Sequence, residues 1–100
     1  MAISHISVVS MPVKDQEVAK KFYTDVLGFT VTNDSTFDGG MRWLQLGVEG
    51  GETNISLVTW FPNMPAGSQQ GIVFEVDDLE ATIAHIQEQG VTIPTIETAP

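Results

Sequence analysis

Apolar and polar positions along this chain follow the same order twice, a strand pattern and then a helix pattern. The first helical stretch opens at Val13-Lys14-Asp15-Gln16-Glu17 and closes at Gly28. The second opens at Val76-Asp77-Asp78-Leu79-Glu80 and closes at Gly90. The two stretches align with a single gap, and a short apolar strand pattern follows each of them. This repeat predicts two related modules that share a sheet and enclose a cavity between them.

Four strands are predicted in the first module, which spans residues 1–60. Alternation over Ile3–Val9 sets His5 and Ser7 on the same face of strand one as Val9. Trp43 and Gln45 likewise share one face of strand three. Strands two, three and four are predicted over 29–32, 41–46 and 54–60, with turns at 33–40 and 47–53.

The second module is predicted over residues 71–100, after a linker over 61–70 that contains two prolines. It starts with a strand over Gly71–Val76 and continues with a helix, for which Asp77 and Glu80 have the capping-box spacing. A sixth strand starts over 91–93, and Pro94 interrupts it. In the first module, Asp15 is the predicted N-cap of the helix. All 100 residues are predicted to form one domain.

Composition narrows the functional classes. The formal net charge is −9, which argues against binding to nucleic acid or to an anionic membrane surface. The chain has no cysteine, so disulfides, thiol nucleophiles and thiolate metal sites are excluded. No signal-peptide pattern and no long apolar run are present, so we expect a soluble cytoplasmic protein.

The first helix resembles that of the vicinal oxygen chelate superfamily, which includes glyoxalase I, bleomycin-resistance proteins and extradiol dioxygenases. The matching residues are Asp15, Ala19, Phe22-Tyr23, Leu27-Gly28-Phe29, Val76-Asp77-Asp78-Leu79-Glu80 and Gly90-Val91. The resemblance implies an α+β fold of βαβββ modules, with a mixed curved sheet around a pocket and helices on its outer face. Measured against that pattern, the module from residue 71 is incomplete, since about two further strands are expected.

The resemblance also implies a divalent metal held by two side chains from each module. His5 matches the first ligand position, while Ser56 and Gly71 fall at the second and third. A serine hydroxyl is a poor donor, Gly71 has no side chain, and the fourth position lies on a strand that is not predicted here. We therefore expect no cofactor, although Glu75 is a candidate second ligand. Ni, Zn, Mn or Fe is expected only if the protein is an enzyme.

A ligand pocket is predicted from the inward-facing residues, and each has a simpler structural explanation. Trp43 with Gln45 forms an aromatic wall with an amide, but Trp43 can also simply fill space. His5 can be a hydrogen-bonded residue of the cavity wall. No nucleophile and base are spaced to act together, so no catalytic residue is assigned. The predicted pocket residues are His5, Ser7, Trp43, Gln45, Ser56 and Glu75.

Three functions remain open at this point. The first is a small-molecule-binding protein similar to the bleomycin-resistance proteins and without an intact metal site. The second is a metal-dependent lyase, isomerase or dioxygenase of the glyoxalase type. The third is a truncated half that functions only with a partner chain. Open sheet edges and the family resemblance favour a homodimer.

Overall fold

The computed structural model describes residues 2–93 of the chain. The predicted α+β class is confirmed, with a mixed curved sheet of four strands and two helices in this part of the chain. No helix in this part of the chain is long and apolar enough to cross a membrane. The elements are β1 (Val8–Pro12), α1 (Gln16–Lys21) continued by a π-helical segment (Phe22–Val26), β2 (Thr30–Thr36), β3 (Arg42–Gly47), β4 (Asn54–Val58) and α2 (Leu79–Glu88).

The four strands lie in the order β1-β4-β3-β2. β1 and β4 are parallel, in a register that pairs Val8 with Asn54 and Pro12 with Val58. The other two pairs of strands are antiparallel. β1 is therefore an edge strand whose partner, β4, is the last strand of its own module. Residues 71–76 repeat the sequence pattern of β1.

The core lies between the sheet and the first helix. Leu44 and Leu46 from β3 and Ile55 and Leu57 from β4 are buried there, as their alternation in the sequence predicts. Burial of such side chains stabilises the fold by about 1.5–3 kcal/mol each. The partly buried residues around this cluster are Met11, Val13, Ala19, Tyr23, Phe29 and Val31.

The first helix starts where the sequence predicted. The Asp15 side chain accepts hydrogen bonds from the backbone N–H groups of Glu17 and Val18, which have no partner inside the helix. Gln16 then fixes the helix to the sheet, since its Nε2 group donates to Arg42 O at 3.0 Å and to Leu57 O at 2.8 Å. The helix start is thus joined to β3 and β4.

The π-helical segment accounts for the gap in the internal repeat. Gly28 lies thirteen positions after Asp15, but Gly90 lies only twelve positions after Asp78. Leu27 N donates to Phe22 O, five residues back, so this turn is one residue wider than an α-helical turn. The extra residue is taken up inside the helix. Both Gly28 and Gly90 still follow with positive φ, where a side chain would be strained.

The second helix is capped by Asp78, not by Asp77 as predicted. Asp78 has extended backbone geometry, and its Oδ1 accepts from Ala81 N at 3.0 Å. Asp77 lies one residue too early to bond the first free N–H groups. α2 meets the first module at His85, whose Nε2 lies 3.0 Å from Val26 O. His85 thereby joins the two parts of the chain.

Several predicted strand boundaries were wrong, and each error has a cause in pairing. β1 covers residues 8–12 instead of 3–9, because its partner β4 begins at Asn54, opposite Val8. β2 runs to Thr36, through residues whose composition indicates a turn, because it pairs along β3 as far as Arg42. β4 ends at Val58 instead of Trp60. Residues 71–76 and 91–93 form no strand. The tail from Pro94 lies outside the described residues.

Candidate functional site

The sheet surface that faces away from α1 carries three of the six predicted pocket residues, Trp43, Gln45 and Ser56. Leu44 and Leu46 point into the core, so Trp43 and Gln45 point the other way. In the register of the sheet, Ser10 pairs with Ser56, Ser56 with Gln45, and Gln45 with Asn33. These side chains form a polar row across all four strands. We call this surface the Trp43 face; it consists of Ser10, Asn33, Trp43, Gln45 and Ser56.

Polar groups on the Trp43 face hold one another in place. Ser10 Oγ and Ser56 Oγ are 2.8 Å apart, and Ser56 is fully buried. Trp43 Nε1 donates to Gln45 Oε1 at 3.0 Å. The indole N–H is thereby satisfied, and the Gln45 amide keeps its Nε2 group as a donor. The face therefore combines a flat aromatic surface with fixed hydrogen-bonding groups.

A second tryptophan extends the aromatic surface. Trp60 follows β4, and its ring centroid lies 6.4 Å from that of Trp43, with the planes inclined by 51°. Its Nε1 donates to Arg42 O at 3.3 Å, and its ring contacts Phe61 edge to face at a centroid distance of 4.8 Å. Such a cluster offers a ring surface for stacking. Trp60 therefore lies beside Trp43.

His5 lies away from the Trp43 face. It precedes β1, its side chain is 38% exposed, and its Nδ1 is 2.8 Å from Ser4 Oγ and 4.0 Å from Glu52 Oε2. Ser7 is also exposed ahead of β1, where its carbonyl accepts from Asn54 N. The expectation that both residues lie on strand one was wrong, because the strand pairing of β1 with β4 starts at Val8. A role in ligand contact for either residue stays a prediction.

The donors expected for a divalent metal do not come together. His5 and Glu75 are both exposed, Ser56 is buried against Ser10, and Gly71 has no side chain. Between residues 2 and 93, no group of three His, Cys, Asp or Glu side chains is arranged to hold an ion. This set of donors does not fit the metal that the superfamily often carries, which needs several imidazole or carboxylate ligands.

An ion-pair network on the opposite side of the sheet was missed in the sequence. Arg42 donates from Nε and Nη2 to the two carboxylate oxygens of Asp34, each at 2.8 Å, and from Nη1 to Glu17 at 2.6 Å. Lys20 approaches the same Asp34 at 3.8 Å. The Arg42 hydrogen bonds hold the pKa of Asp34 below its ordinary value. The network joins α1 to β2 and β3. The small number of Lys and Arg residues in the sequence is the feature that could have indicated it.

Sequence reasoning also missed Ser10 and Asn33, which belong to the Trp43 face, and Ser35, which pairs with Trp43. Ser10 lies between the apolar residues Val9 and Met11. This alternation would have placed Ser10 on the Trp43 face if the predicted strand had continued past Val9. Asn33 and Ser35 were assigned to a turn. In the structure, Ser35 Oγ donates to Asn33 Oδ1 at 2.6 Å, and Ser35 pairs with Trp43.

Two cavities lie on the helix side of the sheet. The smaller, about 700 Å³, follows α1 and is lined by Val18, Phe22 and neighbouring residues. The larger, about 1490 Å³, lies between α2, residues 71–78 and the end of the first helix. Among the predicted pocket residues, Glu75 lines the larger cavity, whereas Trp43, Gln45 and Ser56 line neither.

Comparison with known proteins identifies the family. A model of the Glyoxalase/Bleomycin resistance protein/Dioxygenase superfamily matches residues 2–99, so the chain belongs to this superfamily. YetH of Bacillus subtilis is 35% identical over 92 residues, which cover 89% of this chain and 75% of YetH.

Solved structures agree with this assignment. TnmS3, an antibiotic binding protein from Streptomyces sp. CB03234, is 44% identical with a TM-score of 0.92, over 100% of this chain and 82% of TnmS3. A glyoxalase/bleomycin resistance protein from the same Streptomyces strain is 41% identical with a TM-score of 0.83, over 96% of this chain and 83% of its own.

Proposed function

We propose that this protein binds a small organic molecule on the Trp43 face and does not transform it. The observation that carries the proposal is the hydrogen-bonded pair of Trp43 and Gln45 beside the second aromatic ring of Trp60. Ser56 is fully buried and supports this face through its hydrogen bond with Ser10. Binding sites of this kind pair apolar or aromatic area with a few placed polar groups. The antibiotic-binding relative TnmS3 supports the same class of ligand.

The ligand that best suits this face is flat and partly apolar, with a hydrogen-bond acceptor at its edge. A planar ring system can stack on Trp43, whose own N–H is already paired with Gln45. The acceptor at its edge then meets the Gln45 amide. The net charge of −9 favours a neutral or cationic molecule over an anion at long range.

An enzymatic role would need donors for a metal that residues 2–93 do not bring together. We therefore expect no stoichiometric uptake of Ni, Zn, Mn or Fe. The measurement is elemental analysis of the protein after incubation with each metal and desalting. One ion per chain, lost in a His5→Ala variant, would replace the binding proposal with the glyoxalase-type alternative.

Isothermal titration calorimetry tests the binding proposal. Metal-free bleomycin and a planar anthracycline are titrated into the wild type and a Trp43→Ala variant. We expect saturable binding of at least one of them and a loss of about tenfold in affinity in Trp43→Ala, because one aromatic contact contributes about 1.4 kcal/mol. Phe37→Ala is the matched control, since Phe37 is a half-exposed aromatic residue outside the Trp43 face.

Two results would contradict the proposal. One is that neither compound binds. The other is that Trp43→Ala binds as tightly as Phe37→Ala, which would place the ligand away from the Trp43 face. A Gln45→Leu variant adds a polar test, since it keeps the size of the side chain and removes the amide. Its affinity is expected to fall for ligands with an acceptor at the edge and to be unchanged for those without one.

A further inference from the structure

The backbone carbonyl oxygen of Arg42 accepts hydrogen bonds from two distant parts of the chain. Gln16 Nε2, at the start of α1, donates to it at 3.0 Å. Trp60 Nε1, beside the Trp43 face, donates to the same oxygen at 3.3 Å. A carbonyl oxygen has two lone pairs, so both bonds can form at once. One backbone oxygen therefore links the first helix to an aromatic ring of the proposed binding surface.

Gln16 fixes this oxygen at the point where the pairing of β3 with β4 ends. The last described pair at this end is Leu44 with Leu57, and Arg42 lies beyond it. There Gln16 donates to Leu57 O at 2.8 Å as well as to Arg42 O. Its amide thus continues the connection between the two strands after their ladder ends. From this point β4 leads to Trp60 within a few residues.

The hydrogen bond of Trp60 is more sensitive to displacement than that of Trp43. At 3.3 Å it exceeds the usual N–H···O range, which ends at about 3.2 Å. A small further shift of the Arg42 oxygen is therefore enough to break it. Trp43 Nε1 instead donates to Gln45 Oε1 at 3.0 Å, and both residues belong to β3. That bond is local and does not require Gln16.

We propose that Gln16 is a positioning residue for Trp60. By holding the Arg42 carbonyl oxygen, it sets the angle at which the Trp60 ring stands beside Trp43, and it acts through that ring without contacting the ligand. The two ring planes are inclined by 51°, with centroids 6.4 Å apart, and this geometry shapes the surface that a ligand meets. The effect on binding rests on the proposed function, whereas the effect on the Trp60 indole is measurable in the free protein.

Hydrogen exchange of the two indole N–H groups, followed by NMR, tests the positioning role without a ligand. The chain has two tryptophans, so each indole signal is assigned by its loss in Trp43→Phe or Trp60→Phe. Gln16→Leu keeps a side chain of similar size and removes its donors. We expect exchange at Trp60 Nε1 to become faster by about threefold or more, with exchange at Trp43 Nε1 unchanged. Gln16→Asn, whose amide is one methylene shorter, is a second variant with the same expected result.

Two control variants separate positioning from a general loss of stability. Glu17→Gln changes the next residue of the helix, which bonds to the guanidinium of Arg42, and leaves the carbonyl bond of Gln16 in place. Ile55→Ala removes a buried core side chain opposite Leu46, toward the other end of β3 from Arg42. Neither control is expected to change the ratio of the two indole exchange rates.

Calorimetry with metal-free bleomycin and the planar anthracycline tests the consequence for binding. For a compound that binds the wild type, we expect Gln16→Leu to weaken affinity by about three- to tenfold. In a Trp60→Ala background the same substitution should change affinity by less than about twofold, because no ring is left to position. This double-mutant comparison separates an effect through Trp60 from an effect on the whole fold.

Three outcomes would overturn the inference. The first is a wild-type ratio of indole exchange rates in Gln16→Leu and Gln16→Asn. The second is an equal change of that ratio in Ile55→Ala. The third is a loss of affinity in Gln16→Leu that is the same with and without Trp60. If neither compound binds the wild type, the proposed function fails, and the exchange ratio alone decides the positioning role.

Discussion

A single side chain, Gln16, joins the start of the first helix to two strands, and replacing it isosterically tests that role. Its Nε2 group donates to Arg42 O and to Leu57 O. Gln16→Glu keeps the shape but replaces the amide NH2 group, which donates both hydrogen bonds, with a carboxylate oxygen. Two hydrogen bonds are lost at about 1 kcal/mol each, and Leu57 O loses its donor in a partly buried place. We expect the free energy of unfolding to fall by about 2–4 kcal/mol near neutral pH.

The loss of stability in Gln16→Glu should be larger at neutral pH than in acid. Beside two carbonyl oxygens the charged form of the new carboxyl is disfavoured, so its pKa in the folded state rises above the ordinary value of about 4.3. A raised pKa means that stability is greatest below the unfolded-state value and falls as pH rises through the folded-state value. The difference from the wild type is therefore smallest in acid, where the carboxylic acid can donate one hydrogen bond.

Urea denaturation followed by circular dichroism measures both effects, at about pH 4 and about pH 7. Gln70→Glu is the control, because it makes the same charge change at an exposed position in a loop. The reasoning is refuted if Gln16→Glu and Gln70→Glu lose equal stability at neutral pH. It is also refuted if the Gln16→Glu deficit does not shrink in acid.

Three further predictions concern the core, the ion pairs and the assembly. Leu57→Ala, at a fully buried position, should lower the free energy of unfolding by about 2–5 kcal/mol in urea titrations, whereas Ile6→Ala, at a residue 66% exposed, should change it by less than about 0.5 kcal/mol. Because the pKa of Asp34 is lowered, its carboxylate stabilises the fold above the ordinary pKa of 3.8, and this stabilisation is lost as pH falls below 3.8. Asp34→Asn should therefore make thermal unfolding less sensitive to acid. An unchanged acid response would count against the Arg42 pairing. We also expect a homodimer, with twice the 10.9 kDa chain mass in light scattering at micromolar concentration; a mass of 10.9 kDa would contradict this.

Local signals in the sequence predicted the parts of the fold that depend on local chemistry. Asp15 caps the first helix because its carboxylate reaches the free N–H groups that follow it. Leu44, Leu46, Ile55 and Leu57 are buried because strict alternation gave them one face. The family resemblance around the first helix is likewise confirmed.

What the sequence did not reveal depends on partners distant in the chain. The start of β1 is set by the position of β4, which lies more than forty residues later. The polar run from Asn33 to Thr36 is a strand because it pairs with β3, although its composition favours a turn. For residues 71–76, alternation predicts a strand, but no neighbouring strand pairs with them within residues 2–93.

The candidate site was predicted in part for the same reason. Trp43 and Gln45 share one face, as alternation within β3 requires, and they hydrogen-bond to each other. Ser10 was missed because the predicted strand one ends at Val9, and His5 was placed on that strand because it was predicted to start at Ile3. An error of a few residues at a strand end thus changed which side chains were assigned to the site.

The wide turn over Phe22–Val26 has a consequence for how this molecule tolerates changes in length. One surplus residue is absorbed within a single helical turn, while the cap before it and the glycine after it keep their roles. Insertions at such a turn leave the neighbouring strands undisturbed, whereas an insertion within β3 or β4 would reverse the facing of every later side chain in that strand. Variation in length among related chains should therefore accumulate in the helix and be rare in the two central strands.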